Sequence, residues 1–231
     1  MKLAKILSSF NLITHKLSFD KHKSIRTTII DSMRNNRNDL YDYGEGFFYQ
    51  SIPTINLKGL RNTKKRIDKL NLNKYLENKS FLDIGTNAGS IPLSLKSNFD
   101  NGVGIDYNPS LIKVAQIIQN YLGIKNLEFI CDDFLKFKFN KKFDVILSLA
   151  NHSTFDKGIN NVDLYFKKLN SLLNQNGILI LESHNPLYEK HKSFMEIVEK
   201  LKENYAIINE GIYEFGNFYD QNRIYFILKK N

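Results

Sequence analysis

An apolar segment that ends in a glycine-containing turn constrains the fold of this chain most. The run Phe81-Leu82-Asp83-Ile84 leads into Gly85, Gly89 follows in the same turn, and Asp106 ends a second apolar run 21 residues after Gly85. A strand that ends in such a turn lets backbone approach a ligand closely, and a carboxylate about 20 residues later can bind a ribose. The pairing predicts a cofactor that contains a nucleoside, either a dinucleotide or S-adenosylmethionine.

Short apolar runs alternate with helical patterns from residue 80 onward, which is typical of βαβ units and a mainly parallel sheet. We predict strands at about residues 80–84, 102–106, 127–131, 143–149 and 177–183. We predict helices at about residues 89–98, 109–122, 160–174 and 188–203. The second of these helices has a clear start, because Asn108 can cap it and Pro109 fits its first turn.

The end of the chain changes character. Residues 205–215 and 223–229 are strand-like, and the turn-rich residues 216–222 between them do not fit a helix. They predict an antiparallel hairpin appended to the parallel sheet. Such a hairpin departs from a dinucleotide-binding domain, and the turn at Gly85 also lacks the G-x-G-x-x-G pattern that binds a pyrophosphate.

The first 79 residues carry weaker signals. Residues 1–16, 24–33 and 64–78 predict helices or a helix pair, and the aromatic, glycine-punctuated residues 39–50 predict a loop. A chain of 231 residues suits one decorated domain. We therefore predict an N-terminal helical and lid segment, residues 1–79, packed on a Rossmann-like domain, residues 80–231.

Residues 80–229, about two thirds of the chain, resemble a class I S-adenosylmethionine-dependent methyltransferase. The resemblance rests on the glycine turn, on Val103-Gly104-Ile105-Asp106-Tyr107-Asn108-Pro109, on Ile130-Cys131-Asp132-Asp133-Phe134 and on the terminal hairpin. It implies an α/β fold with a doubly wound, mostly parallel sheet of seven strands in the order 3-2-1-4-5-7-6. It also implies S-adenosylmethionine as the cofactor and S-adenosylhomocysteine as the product.

The glycine turn matches the first motif of this family, in which an acid ends the first strand and turn backbone touches the cofactor. The resemblance carries these roles to Asp83, Gly85, Thr86, Asn87 and Gly89. Asn87 stands where the family usually has its middle glycine, but asparagine tolerates a positive φ better than most residues. We expect Asp83 to orient the amino group of the cofactor, directly or through water.

Two further motifs imply contacts with the nucleoside. Asp106 matches the acid that binds the ribose, and Tyr107 follows it. Asp133 aligns with the acid that accepts a hydrogen bond from the adenine amino group, and Phe134 with the neighbour whose backbone amide contacts the ring. Asp132 takes the place of Asp133 if the alignment shifts by one residue.

The fourth and fifth strands end where α/β folds place reacting groups. Leu149, which ends the fourth strand, is predicted to contact the cofactor. His152 is the candidate general base, because an imidazole can accept a hydroxyl proton near neutral pH, and a loop-capping hydrogen bond is its alternative role. Glu182 and His184, at the end of the fifth strand, would orient His152 or bind the acceptor. No closely spaced ligand motif predicts a metal.

The N-terminal segment is expected to supply a lid over the acceptor. Tyr43, Tyr49 and Arg61 are the candidate acceptor-binding residues. Arg61 could hold a carboxylate or a phosphate with two hydrogen bonds. A surface arginine and two core aromatic residues are the equally supported alternative.

Composition narrows the partners and the compartment. The net charge of +9 suits a polyanion such as RNA, but lysine is spread through every segment, so we favour a solvated surface and no nucleic-acid partner. The single cysteine, Cys131, excludes an internal disulfide and points to a reducing compartment. Without an apolar run of about 18 residues or a signal peptide, we expect a cytoplasmic protein that does not enter the membrane.

The combined prediction is methyl transfer to a small polar acceptor, with a hydroxyl as the favoured nucleophile. The acceptor would be linked to a sugar, phosphate or nucleotide, in surface polysaccharide or secondary metabolite biosynthesis. The fourth strand is not followed by Asn/Asp-Pro-Pro-aromatic or Pro-Cys, which disfavours DNA amino groups and cytosine C5 as acceptors. An RNA methyltransferase and a cofactor-binding relative without transfer remain alternatives, as do a monomer and a homodimer.

Overall fold

The computed structural model describes residues 20–35, 48–59, 61–96, 98–152, 162–184, 191–213 and 222–231. The chain divides into two compact units. The first unit contains the described parts of Met1–Asn73 together with Thr86–Lys96 and Gly104–Asp132. The second contains the described parts of Lys74–Gly85, Ser97–Val103 and Asp133–Asn231. Each unit joins distant stretches of chain, and the division predicted at residue 79 stays a prediction.

Helices and strands alternate through most of the described chain. The helices are α1 (Lys23–Asn35), α2 (Thr63–Lys69), α3 (Leu72–Leu76), α4 (Pro109–Leu122), α5 (Val162–Leu172) and α6 (His191–Leu201). The strands are β1 (Ser80–Ile84), β2 (Asn101–Asp106), β3 (Leu127–Cys131), β4 (Phe143–Leu149), β5 (Leu173–Glu182), β6 (Tyr205–Tyr213) and β7 (Arg223–Lys230). The predicted strands are all present, and β5 begins earlier than expected.

The strands form one sheet in the order β3-β2-β1-β4-β5-β7-β6. Strand β4 runs parallel to β1 and β5, whereas β7 runs antiparallel to β5 and β6. The order and the terminal hairpin confirm the predicted fold class. In the pairing of β1 with β4, Asp83 lies opposite Leu147 and Ile84 opposite Ser148, so the carboxyl ends of these two strands are level.

The core of the second unit is built on near-continuous apolar strands. In β4 every residue from Val145 to Ser148 is buried, and β5 is buried from Leu179 to Glu182. A strand that alternates apolar and polar residues covers only one face, whereas a parallel strand buried on both faces reads as a continuous apolar run. The sequence pattern and the burial therefore agree, with Ser148 and Glu182 as polar exceptions.

Helix α4 in the first unit begins and ends where its sequence predicts. The side chain of Asn108 accepts hydrogen bonds from the N–H groups of Ser110 (3.0 Å) and Leu111 (3.2 Å). Pro109 occupies the first turn, where a missing N–H costs nothing, and Gly123 ends the helix with φ 67°.

The helix predicted over residues 89–98 is wrong, because the described residues of this segment form only a short 3-10 turn, Pro92–Ser94. Leu95 leaves the turn with an extended backbone (ψ 143°), and the N–H of Lys96 donates to the side chain of Asn73 at 2.9 Å. The Lys96 N–H therefore bonds to the side chain of Asn73, which is distant in sequence, instead of to a helical backbone carbonyl. The serines and asparagine of this segment are weak helix formers, so the hydrogen bond to Asn73 is favoured over a continued helix.

The N-terminal predictions have mixed outcomes. Helix α1 confirms the helix expected at 24–33, and α2 with α3 confirms a helix pair within 64–78. The helix predicted at 1–16 and most of the loop predicted at 39–50 lie outside the described residues. Within the helices that the structure describes, none has both the length and the apolar character that a bilayer crossing requires.

A close backbone approach shapes the loop before α2 in the first unit. Gly59 lies against Gln50 and Ser51, and a Cβ at position 59 would come within 2.3 Å of the carbonyl carbon of Gln50. No side chain fits there. The loop continues to Arg61, whose N–H donates to the carbonyl of Tyr49 at 3.0 Å.

Candidate active site

The glycine turn of the first unit is held by backbone hydrogen bonds. The N–H of Thr86 donates to the carbonyl of Ile105 at 3.0 Å, and the N–H of Asn87 donates to Oδ2 of Asp106 at 2.9 Å. Asn87 has φ 55°, so it adopts the left-handed conformation that the family's middle glycine would supply. Gly89 has φ 69°, and a Cβ there would lie 2.6 Å from the ring of Phe129.

Asp106 is half-buried and both of its carboxylate oxygens are in use. Oδ2 accepts from Asn87, and Oδ1 accepts from the N–H of Asn108 at 3.0 Å. Burial raises the pKa of this carboxyl above its ordinary value, although the backbone hydrogen bonds oppose the shift. The backbone of Tyr107 also hydrogen-bonds to this carboxylate. A carboxylate has about four lone-pair sites, so the group can still accept from a ligand hydroxyl. Tyr107 is 57% exposed.

In the second unit, strand β1 ends in Asp83 and Ile84, and Gly85 follows in the turn. Asp83 is buried, and Gly85 has φ 66°. A Cβ on Gly85 would approach Nδ2 of Asn151 to 3.1 Å and Cβ of Asn151 to 3.2 Å. The positive φ favours glycine at this position, and a Cβ there would also have to displace the Asn151 side chain by a few tenths of an ångström.

A buried polar cluster that the sequence analysis missed lies beside this turn. Asn151 donates through Nδ2 to the carbonyl of Ile84 and accepts through Oδ1 from Oγ of Ser148 (2.9 Å) and from the hydroxyl of Tyr165 (3.0 Å). The two hydroxyls lie 2.8 Å apart. Burial, together with the charge of Asp83, raises the pKa of the Tyr165 phenol far above its usual range, although the Ser148 hydrogen bond opposes the shift. The phenol is therefore a hydrogen-bond donor at neutral pH.

His152 lies next to this cluster but is packed among aromatic rings. Its ring centroid is 5.5 Å from that of Phe194 and 6.2 Å from that of Phe166, and its side chain is buried. The preceding Ala150 has φ 61°, and its N–H donates to the carbonyl of Glu182 at 3.0 Å. The loop after β4 is thus held to the end of β5.

Glu182 forms a fully buried ion pair. Its Oε1 accepts from Nη1 of Arg223 at 3.0 Å, and both side chains have 0% exposure. Strand β5 ends at Glu182, so His184 lies beyond the strand and is half-buried. Next to the pair, Ser183 exchanges two hydrogen bonds with Ile224. The ends of β5 and β7 are therefore joined by both charge and backbone.

The segment after β3 contains the carboxylate of Asp133 and the backbone of Phe134, the two groups predicted to contact adenine. Asp133 is half-buried, and its Oδ1 accepts from the N–H of Leu135 at 2.8 Å. The ring of Phe134 is buried and makes an edge contact with Tyr165, with centroids 5.3 Å apart. The Phe134 ring thus belongs to the core, and only its backbone fits the predicted contact with adenine. Leu149 is half-buried at the end of β4.

Two of the three acceptor-binding candidates contact each other in the first unit. The guanidinium of Arg61 lies over the ring of Tyr49, 4.2 Å from its centroid, and Arg61 is buried rather than a surface residue. Tyr43 lies outside the described residues. Through the part of the chain with described placement, no group of three or more His, Cys, Asp or Glu side chains is arranged to hold a metal ion.

Comparison with known families identifies the domain. Residues 76–231 match the model of a family described as a methyltransferase domain, which is more than half of the chain. The chain belongs to the methyltransferase domain family. The sequence resemblance is confirmed at this level, and the cofactor of this family is S-adenosylmethionine.

Relatives of this methyltransferase domain have different acceptors in their names. The malonyl-[acyl-carrier protein] O-methyltransferase of Bacillus cereus is 30% identical over 68% of this chain and 56% of its own length. The release factor glutamine methyltransferase of Buchnera aphidicola is 30% identical over 72% of this chain and 64% of its own length. The chain thus spans less than two thirds of either relative.

A solved structure supports the fold of this methyltransferase domain independently of sequence. The N-methyltransferase NodS from Bradyrhizobium japonicum, in complex with S-adenosylhomocysteine, has a TM-score of 0.61, with 17% identity over 72% of this chain and 86% of NodS. At that identity the likeness concerns the fold. The individual site residues of this methyltransferase domain stay predictions.

Proposed function

We propose that this chain transfers a methyl group from S-adenosylmethionine to a small polar acceptor, with a hydroxyl as nucleophile. The observation that carries the proposal is the hydrogen bond from the N–H of Asn87 to Asp106. It combines a left-handed turn with an acid at the end of β2, which is the arrangement the sequence predicts for ribose binding.

The proposed cofactor contacts follow the motifs residue by residue. Asp106 accepts hydrogen bonds from the ribose hydroxyls, and the exposed Tyr107 lies beside them. Asp83 orients the amino group of the methionine portion, and the glycine turn supplies backbone. Asp133 accepts from the adenine amino group and the Phe134 amide contacts the ring. The remaining candidates are Gly85, Thr86, Asn87, Gly89 and Leu149.

The reacting end is assigned to the loop after β4. When bound, S-adenosylmethionine would supply the methyl group and would leave as S-adenosylhomocysteine. His152 would accept the proton of the acceptor hydroxyl. Positioning then supplies much of the rate, and the base removes one proton. The aromatic packing around His152 supports this role because it fixes the orientation of the ring.

Glu182 and His184 receive different roles within the proposal. The carboxylate of Glu182 is committed to Arg223, so Glu182 holds the loop of His152 through its backbone carbonyl rather than touching the acceptor. His184 lies beyond the strand and contacts the acceptor. Arg61 and Tyr49 bind an anionic group on the acceptor.

The acceptor class is the least constrained part of the proposal. Malonyl-[acyl-carrier protein] and a release factor glutamine occur in the names of two relatives, so family membership leaves both oxygen and nitrogen open as the methyl acceptor. We propose a sugar-, phosphate- or nucleotide-linked hydroxyl in surface polysaccharide or secondary metabolite biosynthesis. The single cysteine supports a cytoplasmic location.

The test is a conversion assay followed by one variant. Purified protein with S-adenosylmethionine should form S-adenosylhomocysteine only when a competent acceptor from a panel of sugars, nucleotide sugars and acyl-carrier substrates is added. Asp106→Ala should weaken S-adenosylhomocysteine binding by about 1.5–3 kcal/mol, the range for a hydrogen bond to a charged group. Calorimetry measures this, and unchanged affinity would refute the ribose assignment.

A further inference from the structure

The loop after β4 contains an amide whose orientation is fixed by its partners. The carbonyl of Ile84 can only accept, so the group of Asn151 that faces it is the Nδ2 donor. Oδ1 must then face Ser148 and Tyr165, and both carry hydroxyls that can donate. No other assignment of the amide satisfies all three contacts.

The hydroxyls in turn hold the amide. Ser148 and Tyr165 each donate to Oδ1 of Asn151, at 2.9 and 3.0 Å, and their hydroxyl oxygens lie 2.8 Å apart. Ser148, Asn151 and Tyr165 are all buried. In a buried site a hydrogen-bonded network restricts its members, because each lost partner leaves a polar atom that water cannot reach.

The Asn151 amide contacts the turn at the end of β1. Ile84 is the last residue of β1, and its carbonyl is the acceptor of Nδ2. The next residue, Gly85, has φ 66°, and a Cβ there would come within 3.1 Å of Nδ2 and 3.2 Å of Cβ of Asn151. The direction in which the chain leaves β1 is thus determined jointly by the glycine and the amide.

We infer that Asn151 and Tyr165 are positioning residues for cofactor binding, because their buried side chains fix the backbone at Ile84 and Gly85. The inference rests on the proposed function, in which this turn binds S-adenosylmethionine. Neither side chain touches the cofactor in this assignment. Their effect is that the turn has its binding conformation before the cofactor arrives, which spares the cost of ordering it on binding.

The chain offers a matched pair of tyrosines for the test. Tyr165 and Tyr205 are both buried in the second unit, and each donates its hydroxyl to Oδ1 of an asparagine, Asn151 and Asn170, at 3.0 Å. Only Asn151 contacts the turn at Gly85. Tyr165→Phe and Tyr205→Phe therefore remove the same chemical group, from a buried hydrogen bond at Tyr165 and from a part-buried one at Tyr205.

Binding of S-adenosylhomocysteine by calorimetry is the decisive readout. Tyr165→Phe should raise the dissociation constant about three- to tenfold, the effect of one net hydrogen bond, and Tyr205→Phe should leave it within about twofold. Both should lower the thermal unfolding midpoint. Asn151→Ala should weaken binding more than Tyr165→Phe, and circular dichroism shows whether each variant is folded.

The outcomes separate this inference from the function on which it rests. If the wild type binds S-adenosylhomocysteine and the two tyrosine variants bind it equally well, the cluster is only structural and the inference is overturned. If the wild type itself shows no binding, the proposed function fails and the inference fails with it. A selective loss in Tyr165→Phe supports the positioning role.

Discussion

The turn at Asn87 and the loop at Ala150 each contain a non-glycine residue with a positive φ, 55° and 61°. Such a residue costs about 1–3 kcal/mol and persists only where its surroundings hold it. At Asn87 the N–H is held by the half-buried carboxylate of Asp106. At Ala150 the N–H is held by the backbone carbonyl of Glu182, whose side chain is fully buried.

The turn at Asn87 and the loop at Ala150 differ in how many hydrogen-bonding groups they leave available to a ligand. Asp106 uses backbone donors and keeps lone pairs for another partner, so the same group both shapes the turn and can bind. In the loop after β4 the polar side chains satisfy one another, as Asn151 does with Ser148 and Tyr165. The first region is therefore suited to binding directly, and the second to holding other groups in place.

The largest effect is expected from removal of His152, the candidate base in the second region. His152→Ala should lower turnover about 10²–10⁴-fold, because proton removal would be left to water, while affinity for S-adenosylhomocysteine stays intact. His22→Ala is the control, since His22 is a partly exposed histidine of the first unit that bonds to Tyr121. Near-normal turnover of His152→Ala would show that this region only positions groups.

Breaking the buried ion pair should affect stability next most strongly. Glu182→Ala should lower the free energy of unfolding by about 3–5 kcal/mol, because the charge of Arg223 would stay buried without its partner. Urea denaturation measures this. The double variant Glu182→Leu with Arg223→Met should recover most of the loss, since no buried charge remains.

The exposed pair of Glu199 and Lys202 in the same unit is the control for that measurement. Its nitrogen and oxygen lie 2.6 Å apart, but both side chains are largely in solvent. Glu199→Ala should cost about 0–1 kcal/mol. Equal losses in Glu182→Ala and Glu199→Ala would contradict the view that the end of β5 is held by its buried charges.

A smaller effect should appear in the pH dependence of cofactor binding. Burial raises the pKa of Asp106 above its ordinary value of 3.8, so its ionisation favours the unfolded chain, and its contribution to stability is lost as the pH rises through the folded pKa. Binding has the opposite sign, because a ribose hydroxyl donates to the ionised form. Affinity for S-adenosylhomocysteine should fall as the pH drops from neutral through that raised pKa.

An Asp106→Asn variant tests whether the titration of Asp106 causes this pH dependence of binding. Calorimetry with Asp106→Asn should show weak binding that no longer varies over the same acidic range. If the variant keeps the wild-type pH profile, another group titrates and the ribose assignment loses its support.

Local signals account for most of the fold that could be predicted. The strands follow from apolar runs, and α4 follows from Asn108, Pro109 and Gly123, because these signals act within a few residues. The segment at 89–98 failed for the opposite reason, since a hydrogen bond from Lys96 to the distant Asn73 competed with helix formation.

The candidate site likewise contains residues that local motifs predict and residues whose contacts span long stretches of sequence. Asp106 and Asn87 were predicted because each matches a family motif, and in the structure the N–H nitrogen of Asn87 lies 2.9 Å from Oδ2 of Asp106. The partnership of Glu182 with Arg223 spans 41 residues, and that of Asn151 with Ile84 spans 67. Neither has a local pattern, so only the folded chain reveals that these residues hold the loop after β4.

The glycine at position 59 can serve as a marker when homologous sequences are compared. Because a Cβ would lie 2.3 Å from the carbonyl carbon of Gln50, only glycine is compatible with this path of the loop. A homologue with any other residue at the aligned position must route the loop differently. Glycine at that position can therefore be used to select the homologues in which a stacked pair like Tyr49 and Arg61 is worth seeking.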